Sequence, residues 1–187
     1  MFIQTESTPN PATLKFLPGE TVLGRGTADF PEPSTAAKSP LARRIFSVPG
    51  VSAVFLGSDF VTVTKDAGVE WDHIKPAVLG AVMDHFQSGE PVMEGESPSP
   101  SGHAVHDGAD GAIVEQIKEL LDTRVRPAVA QDGGDITFHG FDRGVVYLHM
   151  QGACAGCPSS TLTLKMGIEN LLRHYIPEVT EVRPVAA

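Results

Sequence analysis

Both cysteines of the chain fall in one run, Gly152-Ala153-Cys154-Ala155-Gly156-Cys157-Pro158-Ser159-Ser160. A strand pattern precedes this run and a helix pattern follows it. The two sulfurs are therefore expected close together near a helix N-terminus, where unpaired backbone N–H groups and the helix dipole favour negative charge. A thiol so placed should drop from a pKa of ~8.5 to roughly 7. Ala155 and Gly156 are small enough for the loop to curl around a ligand. A structural disulfide is a poor use of the pair, because closing a four-residue loop is worth only about 2 kcal/mol against ~4.7 for a loop of 100 residues. Three chemistries stay open. A thiol–disulfide oxidoreductase uses Cys-x-x-Cys at a helix start. A zinc site needs four ligands, usually Cys or His. An iron–sulfur site also needs four, usually thiolates. One chain supplies two, so either metal site is half complete. His139 and His149 are the nearest further donors. Strand alternation points Ile136, Phe138, Leu148 and Met150 inward, which puts both histidines on the opposite, solvated face. The remaining solution is symmetric, with two chains each contributing Cys154 and Cys157.

The rest of the chain excludes several classes. With 14 basic and 23 acidic residues in 187, the formal charge is −9. That disfavours a nucleic-acid binder, which needs basic groups against phosphates, and equally an anionic lipid surface. No run approaches the roughly 20 apolar residues of a membrane span. Two cysteines cannot build a multi-disulfide secreted scaffold, so a reducing compartment is expected. Met1 to Ser7 carries neither a secretory signal nor an Arg-rich transit peptide. Gly24-Arg25-Gly26 is too short for a phosphate loop. Arg43-Arg44 reads as a solvated helix face, and Trp71 as a core or surface residue.

Composition divides the chain into residues 1–89, a tether over 90–110 and residues 111–187. The tether is rich in Pro, Ser and Gly and carries Glu90, Glu94, Glu96, Asp107 and Asp110 without a single Lys or Arg. Such a segment buries too little apolar surface to offset its ordering entropy and is expected to be flexible. The first part reads as mixed α and β. Strands are expected over 2–5 and 13–16, a loop through Pro31, Pro33 and Pro40, and a helix over 41–46 capped by Ser39. A hairpin follows over 51–55 and 60–64. The stripe Ile74, Val78, Ala81, Val82 and His85 predicts a helix over 71–86, with Pro76 in its first turn. In the last part, Ile113, Ile117, Leu120 and Leu121 predict a helix that Pro127 ends or kinks near Arg126. Asp132-Gly133-Gly134-Asp135 is a turn, and 135–141 pairs with 145–151 around Asp142-Arg143-Gly144. Leu164, Ile168, Leu171 and Tyr175 mark a helix starting after Cys157, and 179–182 a last short strand.

Read together, Asp132-Gly133-Gly134-Asp135-Ile136, the run from Gly152 to Ser160, and Thr163-Leu164-Lys165-Met166-Gly167-Ile168-Glu169 closely resemble the C-terminal domain of the NifU family. The likeness runs from about 113 to 182. Thr5 to Gly19 resembles the opening of the Nfu N-terminal domain. The resemblance implies a non-enzymatic scaffold or carrier for iron–sulfur clusters. Its [4Fe–4S] cluster, or a [2Fe–2S] cluster, would be held by Cys154 and Cys157 at an exposed loop, commonly between two subunits of a homodimer. Its partners would be upstream cluster-assembly proteins and apo-proteins that receive the cluster. Asp132 to Asp135 would be a structural turn without a ligand role. The expected compartment is a bacterial cytoplasm, or a mitochondrial matrix if a presequence has been removed. The expected fold is two α+β domains on a flexible joint. The C-terminal one should be a small, largely antiparallel sheet with helices on one face.

Overall fold

The computed structural model describes residues 1–95, 108, 110–155 and 158–185, and of residues 158–161 the backbone alone. The chain divides into two compact units, Met1–Ser101 and Gly102–Ala187. Both are α+β.

In the first unit, β1 (Gln4–Ser7), β2 (Thr13–Leu17), β3 (Ala28–Phe30), β4 (Val51–Leu56) and β5 (Val61–Lys65) form an antiparallel sheet in the order β1-β2-β5-β4-β3. Alternation along β2, β4 and β5 sends Phe16, Val54, Leu56, Val61 and Val63 into one core. That core is closed by α1 (Pro40–Phe46), through Leu41, Ala42 and Ile45, and by α2 (Trp71–Ser88), through Ile74, Val78, Ala81 and Val82. Ser39 caps α1 as expected, its Oγ accepting from Ala42 N at 3.1 Å. β3 and the 3₁₀ turn Pro33–Lys38 lie where only a loop was expected, because three prolines hid a short edge strand and a tight turn. Pro76 is the sixth residue of α2, within the helix and not in its first turn. It removes one helical hydrogen bond that packing of the buried stripe must offset. His85, fully buried with neither ring nitrogen hydrogen-bonded, acts as an apolar core residue, and burial holds it below the usual imidazole pKa.

Of the tether expected over 90–110, residues 96–107 and 109 lie outside the described residues. Residues 90–95 are fastened to α1. Arg44 pairs with Glu90 at 2.8 Å and Arg43 with Glu94 at 3.0 Å. Ser39 Oγ donates to the Val92 carbonyl at 2.7 Å, and Glu94 N donates to the Lys38 carbonyl at 2.7 Å. Arg43-Arg44 is thus the docking point of this acidic segment, where the sequence suggested only a solvated face.

On the second face of this sheet, register aligns Glu6, Lys15, Thr62, Phe55 and Asp29 in one row across the five strands. Lys15 lies 3.7 Å from Glu6. At Asp29, burial pushes the carboxyl up to about 6. The folded carboxyl holds a proton that the unfolded one, at 3.8, has lost, so this group opposes folding increasingly as pH rises from 3.8 to about 6. Asp29→Asn should therefore stabilise the N-terminal unit by about 1–2 kcal/mol at pH 7 and by almost nothing at pH 4. Urea titrations followed by Trp71 fluorescence, the chain's one tryptophan, check this. A gain equal at both pH values would show that Asp29 is not the titrating group.

In the second unit, α3 (Gly111–Leu120) runs into a π-helical turn, Leu121–Val125, and then α4 (Arg126–Gln131). Pro127 does not end the helix here. The ring of a helical proline collides with the carbonyl four residues back. The helix relieves this by widening one turn, and Arg126 N donates to the Leu121 carbonyl five residues earlier. β6 (Gly134–Asp142) and β7 (Val145–Gly152) form an antiparallel hairpin. Its two-residue loop, Arg143-Gly144, has φ of 50° and 82°, the left-handed pair that a tight hairpin turn requires. α5 (Pro158–Tyr175) crosses over the sheet, so β8 (Glu181–Val185) returns parallel to β7. One face carries Ile136, Phe138, Val146, Leu148, Met150 and Val182. The helices cover that face with Val114, Ile117, Leu121, Val125, Ile168 and Leu172. This is the small sheet with helices on one face that the pattern predicted.

Candidate functional site

The site is built where β6 begins and β7 ends. Gly134 pairs with Gly152, so the Asp132–Gly133 turn and the Cys154 loop lie side by side. Ala153 N donates to the Gly133 carbonyl at 3.2 Å, and Cys154 N to the Gln151 carbonyl at 3.3 Å. Positive φ at Gly133 (81°) and Gly152 (61°) lets both turns close. Cys154 packs into the core and is only 6% exposed. Its sulfur sits over Gly134, where a Cβ would stand 2.5 Å from Sγ. Gly134 is therefore required by close approach, a role distinct from that of the turn glycine beside it.

This placement corrects two expectations. Cys154 does not lie at an exposed loop, and its thiol is not acidified. It precedes α5 by four residues. Burial pushes its pKa up to about 12, with the carboxylates of Asp132 and Asp135 adding to the shift. Cys157 lies outside the described residues.

Asp135 is buried and hydrogen-bonded on all sides. Arg126 grips it with a two-pronged contact, Nε to Oδ1 at 2.9 Å and Nη2 to Oδ2 at 2.9 Å. Ile136 N also donates to Oδ1, at 2.8 Å. Arg126 Nη1 reaches Asp122 Oδ1 at 2.9 Å. The clamp ties α4 to the first residues of β6, directly under the cysteine loop. Neither Arg126 nor the close approach at Gly134 was read from the sequence. The available signals were an arginine just before a helix-breaking proline and a second glycine beyond what a turn needs.

The two histidines do not join the thiol. His139 is the extra residue of a β-bulge between Phe138 and Gly140 and is exposed. His149 points away from the core face that holds Met150 and Cys154. It is half-buried, its Nε2 has no hydrogen-bond partner, and burial and the nearby His139 hold its pKa low. Among the described residues no group of three or more His, Cys, Asp or Glu side chains could hold a metal ion. A metal-binding reading therefore needs donors from beyond one chain's described residues.

A paired-thiol loop between a strand and a helix, on a small α+β domain that follows a second α+β domain, is the class of protein that fold and site define. Residues 3–89 match the family described as "Scaffold protein Nfu/NifU N terminal", and residues 117–183 match the "NifU-like domain". A relative named "NFU1 iron-sulfur cluster scaffold homolog, mitochondrial", from Drosophila ananassae, is 54% identical over 186 residues, covering 99% of this chain and 64% of its own length. "NifU-like protein 5, mitochondrial", from Arabidopsis thaliana, is 54% identical over 185 residues, 97% of this chain and 67% of that protein. The solution structure of a NifU-like protein from Saccharomyces cerevisiae aligns with 51% of this chain and 87% of its own, at 33% identity and a TM-score of 0.46. The chain belongs to the Nfu/NifU-like family of iron–sulfur cluster scaffold proteins. It spans about two thirds of the length of these curated relatives.

Proposed function

We propose that the chain carries a [4Fe–4S] cluster as cargo, ligated by Cys154 and Cys157 of two subunits, and hands it to apo-proteins without catalysing a reaction of its own. The observation that carries this reading is the half-complete donor set. Two soft thiols share one loop, and no further donor cluster stands beside them among the described residues. A four-ligand cluster is then satisfied by a second copy. Upstream assembly proteins would supply the cluster. A recipient would take it when its own thiols replace Cys154 and Cys157 one at a time.

The burial of Cys154 argues against the oxidoreductase alternative. Attacking cysteines work as thiolates, and burial favours the neutral thiol at Cys154. A zinc interaction module meets the same shortage of ligands as the cluster. The curated relatives are named as mitochondrial, so of the two expected compartments the mitochondrion is the one they favour. Among the described residues no helix is long and apolar enough to cross a membrane.

Anaerobic reconstitution followed by iron, acid-labile sulfide and zinc analysis tests the proposal. About two irons and two sulfides per chain, with a native mass of two chains, are expected. Cys154→Ser and Cys157→Ser should each remove nearly all of the iron. Stoichiometric zinc, or a reversible disulfide with no iron, would overturn the reading.

A further inference from the structure

The chain beyond α2 folds back onto α1, and the way it is held singles out that helix. Gly89, with φ of 74°, ends α2 in the left-handed conformation. Glu90 N donates to Ser88 Oγ at 3.3 Å, so the backbone reverses at once. Residues 90–95 then lie along α1 as a strap. Its carboxylates, Glu90 and Glu94, stand four positions apart and meet Arg44 and Arg43. Between them Val92 and Met93 are partly buried against the domain core. The Val92 carbonyl accepts from Ser39 Oγ, and Glu94 N donates to the Lys38 carbonyl. Paired charges, backbone hydrogen bonds and an apolar anchor are the contacts by which a protein surface holds a peptide. On the receiving side, Lys38, Arg43 and Arg44 fall within seven positions with no acid among them, in a chain of net charge −9. A basic patch is thus covered by the chain's own acidic segment.

We propose that this face of α1 is a docking site for an acidic segment of a partner protein, and that residues 90–95 occupy it as an internal stand-in until the partner displaces them. The partner segment carries two carboxylates four residues apart around an apolar side chain, the chemistry that Glu90, Val92, Met93 and Glu94 present. The strap's hold is of an exchangeable kind. The Glu90 and Glu94 side chains are 50% and 56% exposed, and exposed ion pairs are weak and screened by salt. Nor does the strap fill its seat. A cleft of about 380 Å³ remains there, lined by Pro40, Arg43, Arg44, Glu90, Pro91 and Glu94. Arg43 and Arg44 each meet their carboxylate through Nη2. A carboxylate aimed squarely at the guanidinium makes the stronger two-pronged contact, so a partner has something to gain over the strap. The device lies wholly in the N-terminal unit and works the same whether or not the C-terminal unit holds a cluster.

The test uses the full chain without cluster, labelled with ¹⁵N, and a synthetic peptide of residues 90–95 capped at both ends. Glu90→Gln/Glu94→Gln loosens the strap. In that variant the peptide should shift the Arg43 and Arg44 amide signals and saturate them at about one tenth of the concentration the parent needs, because a site occupied roughly nine-tenths of the time binds about tenfold more weakly. Raising salt from about 0.1 M to about 1 M, which shortens the Debye length from about 10 Å to about 3 Å, should weaken this binding. A peptide with glutamine at both acid positions should not bind. The strap itself is read through exchange of the Glu94 amide hydrogen, which is bonded to the Lys38 carbonyl. Arg43→Gln/Arg44→Gln should speed that exchange about tenfold and leave the urea midpoint reported by Trp71 in place, as expected of a local opening. A midpoint that falls together with the protection would make the strap part of the folded core and overturn the proposal. So would a loosened chain that takes up the acidic peptide no better than the parent. Equal binding of the glutamine peptide would place the hold in Val92 and Met93 and overturn the acidic partner.

Discussion

Alanine in place of Arg126 should cost the C-terminal domain about 3 kcal/mol and bring it close to unfolding at 37 °C. The reason is the carboxylate left behind. Asp135 is 3% exposed, and its strongest hydrogen bonds come from the Arg126 guanidinium. Removing one partner of a buried pair strands the other charge, at a typical cost of about 3–5 kcal/mol. The lower end applies because the Arg126 side chain is 23% exposed, so water can reach part of the vacated space. A domain of some 75 residues has about 4–11 kcal/mol in total, which leaves little reserve. Asp135→Asn in the Arg126→Ala background should recover more than half of the loss, because no charge remains to be stranded. The two domains can be followed separately. Trp71 is the one tryptophan and lies in the first unit, while both tyrosines, Tyr147 and Tyr175, lie in the second. Urea unfolding should therefore move the tyrosine transition to lower concentration and leave the tryptophan transition in place. Equal losses in the single and double variants would show that the clamp acts through packing and that charge has little part in it.

How much of this was legible in the sequence follows from which forces leave a local trace. Periodic burial does, and so the α2 stripe and the hairpin of β6 and β7 could be read from apolar spacing, whereas the buried stripe expected on α5 through Leu164, Ile168, Leu171 and Tyr175 runs instead through Ile168, Leu172 and Ile176, with Tyr175 exposed. Turn chemistry does too, as at Arg143-Gly144. Boundaries set by competing local forces do not. Pro127 was rightly read as an obstacle to the helix, but whether a helix stops or widens depends on Leu121, Val125 and Val129 all being held in the same core. The acidic segment 90–95 has a disordered composition, yet it lies along α1 because Arg43, Arg44 and Ser39 present complementary groups brought near by the fold. The cysteine pair was legible as a site because its spacing is local. Its ionisation was not. The expected acidification assumed a thiol on the helix end, and the actual environment is set by Gly134, Asp132 and Asp135, residues about twenty positions earlier.

Gly134→Ala should be among the most disruptive single-methyl additions in the second unit. The new Cβ would stand 2.5 Å from Cys154 Sγ, 2.9 Å from the Gln151 carbonyl oxygen and 3.0 Å from Cys154 N. Two of these are backbone atoms held by the Gly134–Gly152 pairing and by the bond from Cys154 N to Gln151, so the neighbours cannot simply rotate away. Overpacking of this kind typically costs about 1–3 kcal/mol. The structure can lower that cost only by swinging the cysteine loop out. Gly140→Ala, in the same strand, is the control. Its Cβ would meet only Tyr147 Cδ2, at 4.0 Å, which is ordinary contact. Relief of unfolded-state entropy should make that change neutral or stabilising by up to about 1 kcal/mol. The two alanines should therefore shift the tyrosine transition in opposite directions or by clearly unequal amounts. In a Cys157→Ser background, where Cys154 is the sole thiol, Gly134→Ala should also raise its reaction rate with a thiol reagent at least tenfold, and Gly140→Ala should leave that rate unchanged. Slow labelling in the parent follows from a thiol that is both buried and protonated. Fast labelling there would mean that the loop already samples an open state, and the burial of Cys154 would then carry no weight in how the site holds or releases its cargo.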